Sequence, residues 1–393
     1  MRRASRGQHE GASFYELGTQ HMHTSRVAVI ASAQTELRAA WHSAQHIDLI
    51  SAVVTDVFKG TGLTLDDVDF VIDSGSDVLD GRSISNCGFL GAMGAHHKEE
   101  SRVEEDGLWA AVYGTTKILA GAASVGLIIA YSKPSESDVN VFYSSQVEPF
   151  YQRPVGFDHR AASGIQAQRY LAEHKVAPAD LARLVARRWS DAERFGRVPM
   201  ARVPTEQDVL ASPNVAAPLR ALMMSRPVDG AVAVLLANDG IARRVARTPV
   251  WVTGMGSAAD RHSFAARKSG ALEACGSAAR AAFKHGGWKK PTAALAEVSA
   301  SSAVTELMVL EEIGLVPRGR GLELLSDKGS TVNRSGGALP ADPIMATGLA
   351  RLAEASRQLM WPDLYDLKAP ASAVVHGAGG VGMQTHCVVT LEV

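Results

Sequence analysis

The stretch "RVAVIASAQTEL" (residues 26–37) is a β-favouring apolar run that ends in small residues, and "TPVWVTGMGSAAD" (248–260) has the same form. Behind the first comes "QHIDLISAVVTDVFKGTG", with Ile47, Leu49, Ile50, Val53, Val54 and Val57 at helical spacing, a glycine stop, and then the strand "VDFVIDSG". Behind the second comes "SGALEACGSAARAAFKHGGWKK", again amphipathic and glycine-stopped, and then "AALAEVSA". Val27 and Val71 are 44 residues apart, and Val250 and Val298 are 48 apart. A β-α-β unit therefore occurs twice.

The later parts correspond as well. "DGLWAAVYGTTKILAGAASVGLIIAY" (106–131) gives a helix and a strand, as do "MATGLARLAEASRQL" (345–359) and "SAVVHGAGGVGMQTHCVVTLEV" (372–393). Short strands alternating with helices predict α/β layers with mostly parallel sheets, helix-covered on both faces. This assigns residues 26–132 and 223–246 to one half and 247–393 to the other. The Pro- and Arg-rich segment 133–222, with helical patterns such as "PADLARLVARRWSDAERF", is an insertion expected to close over one end of the first half. Residues 1–25 are polar and predict a flexible arm.

Bulk composition narrows the function. The chain of 393 residues is 46% apolar and 21% charged, enough to bury a large core, and its formal charge of -1 supplies no field to draw in nucleic acid or an anionic membrane. Cys87, Cys275 and Cys387 share no CxxC spacing and are odd in number, which predicts a reducing, cytoplasmic setting without disulfides or a zinc site. The longest apolar run, "ILAGAASVGLIIAY" (118–131), is too short for a membrane span. "HHKEESRVEED" (96–106) reads as a solvated loop. "GAGGVG" (377–382) does not open a helix, so it is not a dinucleotide fingerprint.

Four strings together resemble the thiolase superfamily across 26–393, nearest to the sterol-carrier-protein-type, acetyl-CoA acetyltransferase-like members. "VDGAVAVLLAND" (228–239) resembles the family's "nDGAaAvvl". "NRSGGALPADPIMATG" (333–348) resembles "NpsGGlxxxGHPxGATG", "EVSASSAVTELMVLEEIGL" (297–315) resembles "EvHDcFsxxELxxxealGL", and "HGAGGVG" (376–382) resembles "CxGGGxG". The resemblance implies a duplicated αβαβα five-layer fold with 133–222 as the loop domain and a homodimer or homotetramer. It also implies a coenzyme A thioester as substrate, with no covalently bound cofactor.

Where the family carries sulfur, this chain does not. The nucleophile motif "CaSGlkA" falls on "EEDGLWA", which puts Glu104 in the cysteine's place. The general-base histidine falls on Asp342, the second cysteine on His376, and the "HDC" segment on Ser299, Ala300 and Ser301. The resemblance thus implies one pocket holding Glu104, Asp342 and His376, where a carboxylate and imidazole in contact are an acid/base pair able to move protons at the α-carbon of an acyl-CoA. Ser225, Gly379 and Gly380 are the matching candidates for contact with coenzyme A. Cysteine-less relatives of this kind include aldolases acting on steroid side-chain CoA esters with a small OB-fold acyl-CoA-binding subunit. The tyrosines that such aldolases use are not placed by motif, and Tyr131 and Tyr143 are available.

A plainer chemistry competes at the same positions. Glu104, Glu105 and Asp106 precede a helix, and Asp342 precedes Pro343, so each also suits capping of free N–H groups. His376 also suits a hydrogen-bonded core position. Two functions follow: a CoA-ester lyase or aldolase without cysteine-dependent thiolysis, or a non-catalytic thiolase-like subunit scaffolding an active partner. An open tunnel ending at His376 with Asp342 beside it favours the first, and a tunnel plugged by Trp109 or Glu104 the second.

Overall fold

The computed structural model describes residues 26–195, 198–291, 293–325 and 331–393. The arm expected over residues 1–25 lies outside the described residues. Eleven strands are described: β1 (Val27–Gln34), β2 (Phe70–Ser74), β3 (Glu99–Val103), β4 (Val125–Ser132), β5 (Asn214–Ala216), β6 (Leu219–Arg220), β7 (Gly230–Asn238), β8 (Val250–Ala259), β9 (Leu295–Val298), β10 (Ser372–Gly379) and β11 (Thr385–Glu392). Nine of them form one sheet in the order β3-β2-β4-β7-β1-β8-β11-β10-β9. Read outward from the β1/β8 junction, β1-β7-β4-β2 and β8-β11-β10-β9 are the same arrangement twice. The duplication seen in the sequence is thus a duplication of topology.

The sheet departs from the mostly parallel expectation. β2 pairs parallel with β3 and β4, and β9 with β10, but β7 and β11 enter their half-sheets antiparallel to both neighbours. The reason in the second half is connection length, because β10 and β11 are joined by a tight turn, which only antiparallel strands permit. β1 and β8 touch over three residues each, Val27–Val29 against Val250–Val252. "HHKEESRVEED" contains a strand, β3, rather than only loop. It lies at the sheet's edge, where charged side chains are tolerated and protect against further pairing.

Strand alternation sorts the side chains into layers. On β7, Val232, Val234 and Leu236 join the central core, while Ala231, Ala233 and Leu235 join the outer one beneath the His46–Val57 helix. The central core is filled by the Gly107–Leu119 and Thr347–Met360 helices, and the second half-sheet is covered outside by Glu273–His285 and Ala303–Ile313. Five layers result: helix, half-sheet, paired central helices, half-sheet, helix. Each fully buried Val or Leu contributes roughly 1.5–3 kcal/mol, so the three cores supply the main driving force.

The two central helices cross where neither has a side chain. A Cβ on Gly107 would lie 2.6 Å from Ala130 Cβ and 2.7 Å from Leu349 Cβ, and one on Gly348 would lie 1.9 Å from Asp106 Oδ1. Gly107→Ala is therefore expected to cost about 1–3 kcal/mol through overpacking, read as a lower urea midpoint. Gly91→Ala, which meets nothing within 4 Å, is the control, and equal midpoints would refute the close-crossing account.

The insertion's position also differs from expectation. Its His159–His174 and Pro178–Arg194 helices pack Tyr170, Leu184 and Val185 into the outer core of the second half, not only over the first. A buried ion pair joins them, with Arg188 Nε donating to Glu306 Oε1 at 2.8 Å. No helix among the described residues is long and apolar enough to cross a membrane.

Candidate active site

A cavity of about 740 Å³ opens where the strands of both halves end. Its floor comes from residues that follow β2, β3 and β9 (Ser76, Glu104 to Asp106, Ser299 to Ser301) and from the β10 terminus at Ala378 to Gly380. Ligands of α/β proteins lie in this position, beyond the carboxyl ends of the strands. The insertion adds the roof with Tyr143 and His159, whose rings stack at 4.2 Å.

Three carboxylates converge on the floor. Asp106 accepts from Leu108 N at 2.9 Å through Oδ1 and from Gly348 N at 2.6 Å through Oδ2, so it caps both central helices at once. Burial pushes it up to about 8, against the pull of those two donors. Asp342 accepts from Ser225 Oγ at 2.7 Å, Ile344 N at 3.1 Å and Thr347 Oγ1. Its carboxyl is also raised by burial, with the same three donors opposing. Glu105 accepts from Thr385 Oγ1 at 3.3 Å, is raised by burial, and has fewer donors to satisfy it. It is the least committed of the three.

The roof titrates in the complementary sense. Tyr143 is pushed above the ordinary phenol range by burial and then by the charge of Asp342, so it keeps its proton. Burial pushes His159 down to about 4, with Asp158 opposing, and its Nδ1 is buried without a partner. A neutral imidazole, a neutral phenol and three carboxyls raised above their ordinary values by burial thus share one chamber.

The predicted site residues divide. Asp342, Ser225, Gly379 and Gly380 line the cavity, although the Ser225 hydroxyl is engaged by Asp342. A Cβ on Gly379 would lie 2.6 Å from Glu105 Oε2, which explains the glycine: it leaves room for that carboxylate. Glu104 also lines the cavity, but its carboxylate is engaged elsewhere, accepting from Asp77 N at 3.0 Å and from Arg102 Nε at 3.1 Å. His376 is corrected outright. It is not a wall of the cavity and does not meet Asp342: it lies deeper along β10 than Ala378, on the face toward the Glu273–His285 helix, where Nε2 contacts His386 Nδ1 at 2.9 Å.

Glu105, Tyr143 and His159 went unassigned in the sequence. The acidic run before Gly107 was a signal for Glu105, since consecutive residues at a helix start point in different directions and Asp106 is taken up by capping. Tyr143 and His159 carry no local signal. None of Cys87, Cys275 or Cys387 lines the cavity, and Trp109 packs against the central core rather than plugging it.

Comparison with known proteins agrees with this architecture. Residues 256–392 match the thiolase C-terminal domain-like family. The acetyl-CoA acetyltransferase of Methanothermobacter thermautotrophicus is 29% identical over 228 residues, 56% of this chain and 59% of that protein. That of Methanocaldococcus jannaschii is 25% identical over 85% of this chain and 89% of its own length. The benzoylsuccinyl-CoA thiolase subunit BbsB of Thauera aromatica is 25% identical over 55% of this chain and 59% of its own. The chain thus spans about 59% of the length of the first of these relatives. Among solved structures, the Ltp2-ChsH2(DUF35) aldolase superposes with a TM-score of 0.77 at 19% identity, covering 93% of this chain and 97% of its own. Human mitochondrial 3-ketoacyl-CoA thiolase gives 0.70 at 18%, covering 94% and 99%. Its two matching half-sheets and paired central helices thus form a thiolase-like α/β fold, and its C-terminal part, residues 256–392, matches the thiolase C-terminal domain-like family.

Proposed function

We propose that this protein binds a coenzyme A thioester and makes or breaks a carbon–carbon bond next to the thioester carbonyl by acid/base chemistry, as a lyase of the aldolase type. The observation that carries this reading is the cavity itself: Glu105, Asp342 and Tyr143 line it and no thiol does. Without a thiolate, cysteine-dependent acyl transfer to the protein has no nucleophile. A retro-aldol step needs none. Glu105 takes the proton of a β-hydroxyl, the Cα–Cβ bond breaks to leave a ketone or aldehyde and a thioester enolate, and the Tyr143 phenol returns a proton to the α-carbon. Asp342 positions the floor and raises the Tyr143 phenol. Gly379 and Gly380 allow the thioester's close approach, Ser225 stands beside its path, and the exposed Arg160 at the mouth suits the phosphates of coenzyme A.

The relatives' names support the substrate class, since they are CoA-ester enzymes. One structural neighbour couples an aldolase with a DUF35 protein, which supports a small acyl-CoA-binding subunit as partner here. A homodimeric or homotetrameric core, a role in lipid or steroid-type metabolism and a cytoplasmic location complete the reading.

The test is proton exchange. Propionyl-CoA incubated with the protein in D₂O is expected to gain deuterium at the α-carbon, seen by mass spectrometry, with no acyl adduct on the protein. Binding of CoA without exchange would favour a scaffolding subunit, and an acyl-protein adduct would restore covalent catalysis.

A further inference from the structure

Behind the glycine wall of the cavity, the outer face of the second half-sheet carries a cluster that the proposed chemistry does not use. On the β10/β11 hairpin His376 lies opposite Val388 and His386 opposite Ala378, so the two rings are diagonal neighbours on one face. That face packs on the Glu273–His285 helix, and Cys275 from the helix meets both rings. One donor atom from each of Cys275, His376 and His386 lies within 4.8 Å of the other two, and all three residues are fully buried.

The hydrogen-bond inventory of this cluster does not close. Two neutral imidazoles hold two N–H groups and two lone pairs, and the 2.9 Å contact between His376 Nε2 and His386 Nδ1 uses one of each. The remaining N–H and lone pair belong to His376 Nδ1 and His386 Nε2, and neither makes a hydrogen bond of good geometry, beyond weak contact with the backbone at Ser299 and Met383. Leaving such groups unpaired in a dry core costs roughly 1–3 kcal/mol each.

We propose that Cys275, His376 and His386 bind one thiophilic transition-metal ion of the Zn²⁺ and Cu⁺ class. Two imidazoles and a thiolate suit such ions and not the oxygen-seeking Mg²⁺ or Ca²⁺. The ion takes one nitrogen lone pair from each ring, the proton shared between the rings moves to an outer ring nitrogen, and the Cys275 proton leaves to solvent. Metal–nitrogen bonds of about 2.0–2.1 Å and a metal–sulfur bond of about 2.3 Å require side-chain shifts within the present spread of donor distances. The ion joins β10, β11 and the outer helix at the base of the hairpin whose turn forms a cavity wall, through Ala378 to Gly380 and Met383 to Thr385. Its role is to brace that wall.

The experiment uses the full chain, reduced and freed of metal with a chelator, then titrated with Co²⁺. One equivalent is expected to bind with a thiolate-to-cobalt charge-transfer band that Zn²⁺ or Cu⁺ displaces. Tm is expected to rise by a few degrees. Cys275→Ser and His386→Asn are expected to lose the band, while Cys87→Ser, at an exposed thiol, keeps it. Should either core variant fail to fold, the wild-type protein still decides through the zinc and copper retained after gel filtration, expected at one ion per chain. No retained ion, or a band that survives Cys275→Ser, would overturn the site.

Discussion

Arg351→Ala is expected to lower the free energy of unfolding by about 3–5 kcal/mol, the range for stranding a buried charge. Glu297 lies within β9 and is fully buried. Its carboxylate accepts from Arg351 Nη1 at 2.8 Å, Gln358 Nε2 at 2.6 Å, Ser335 N at 3.0 Å and Ser335 Oγ at 2.7 Å. Only Arg351 among these neutralises it. The same network anchors the "NRSGG" loop, whose Asn333 lies at a φ of 45° and accepts from Val298 N at 2.7 Å, and this loop leads directly to Asp342. Stability and the cavity floor therefore share one set of contacts. Urea unfolding is the measurement, with Arg194→Ala in an exposed pair as the control, expected to cost less than about 1 kcal/mol. A second variant, Glu297→Leu with Arg351→Met, removes both charges and is expected to recover most of the loss. A single variant as mild as the control would mean that the buried pair is not the anchor.

The fold was legible because duplication leaves a pattern that composition alone does not. The Leu49, Ile50, Val53, Val54 and Val57 stripe predicted from spacing is the buried face of the His46–Val57 helix, while Ile47 remains 46% exposed at its margin. Strand directions were less legible, because an apolar run such as "GAVAVLLAN" reads the same in a parallel or antiparallel ladder. Motif matching carried over positions but not orientations. On β10 and β11, moving one residue along the strand changes the face, so His376 and Gly377 serve different layers. Gly377 approaches Asp106, where a Cβ would lie 2.7 Å from Oδ1, while His376 faces the outer helix. The same difficulty separates Glu104 from Glu105 at the helix start. The meeting of Cys275, His376 and His386 was illegible for another reason, since about a hundred residues separate the thiol from the imidazoles and only the packing of a helix on a hairpin unites them.

Glu105→Gln is expected to reduce retro-aldol cleavage of a β-hydroxyacyl-CoA by roughly 10²–10⁴-fold, the usual worth of a positioned general base, while leaving CoA binding within a few-fold. The substitution keeps the shape that Gly379 accommodates and the acceptor used by Thr385, so it removes the base and little else. The pH profile supplies an independent readout. Burial raises Glu105 above its ordinary value of 4.5, and the reactive species is the ionised one. Activity should therefore rise with pH through a midpoint displaced upward from 4.5, and this limb should vanish in Glu105→Gln. Tyr143→Phe removes the acid instead, and it should slow the return of the proton without shifting that limb. Stacking on His159 survives the change to phenylalanine, which separates the phenol's chemistry from its packing. If Glu105→Gln cleaved a β-hydroxyacyl-CoA at the wild-type rate while Asp342→Asn did not, the base would be Asp342, and Glu105 would be a wall of the cavity alone.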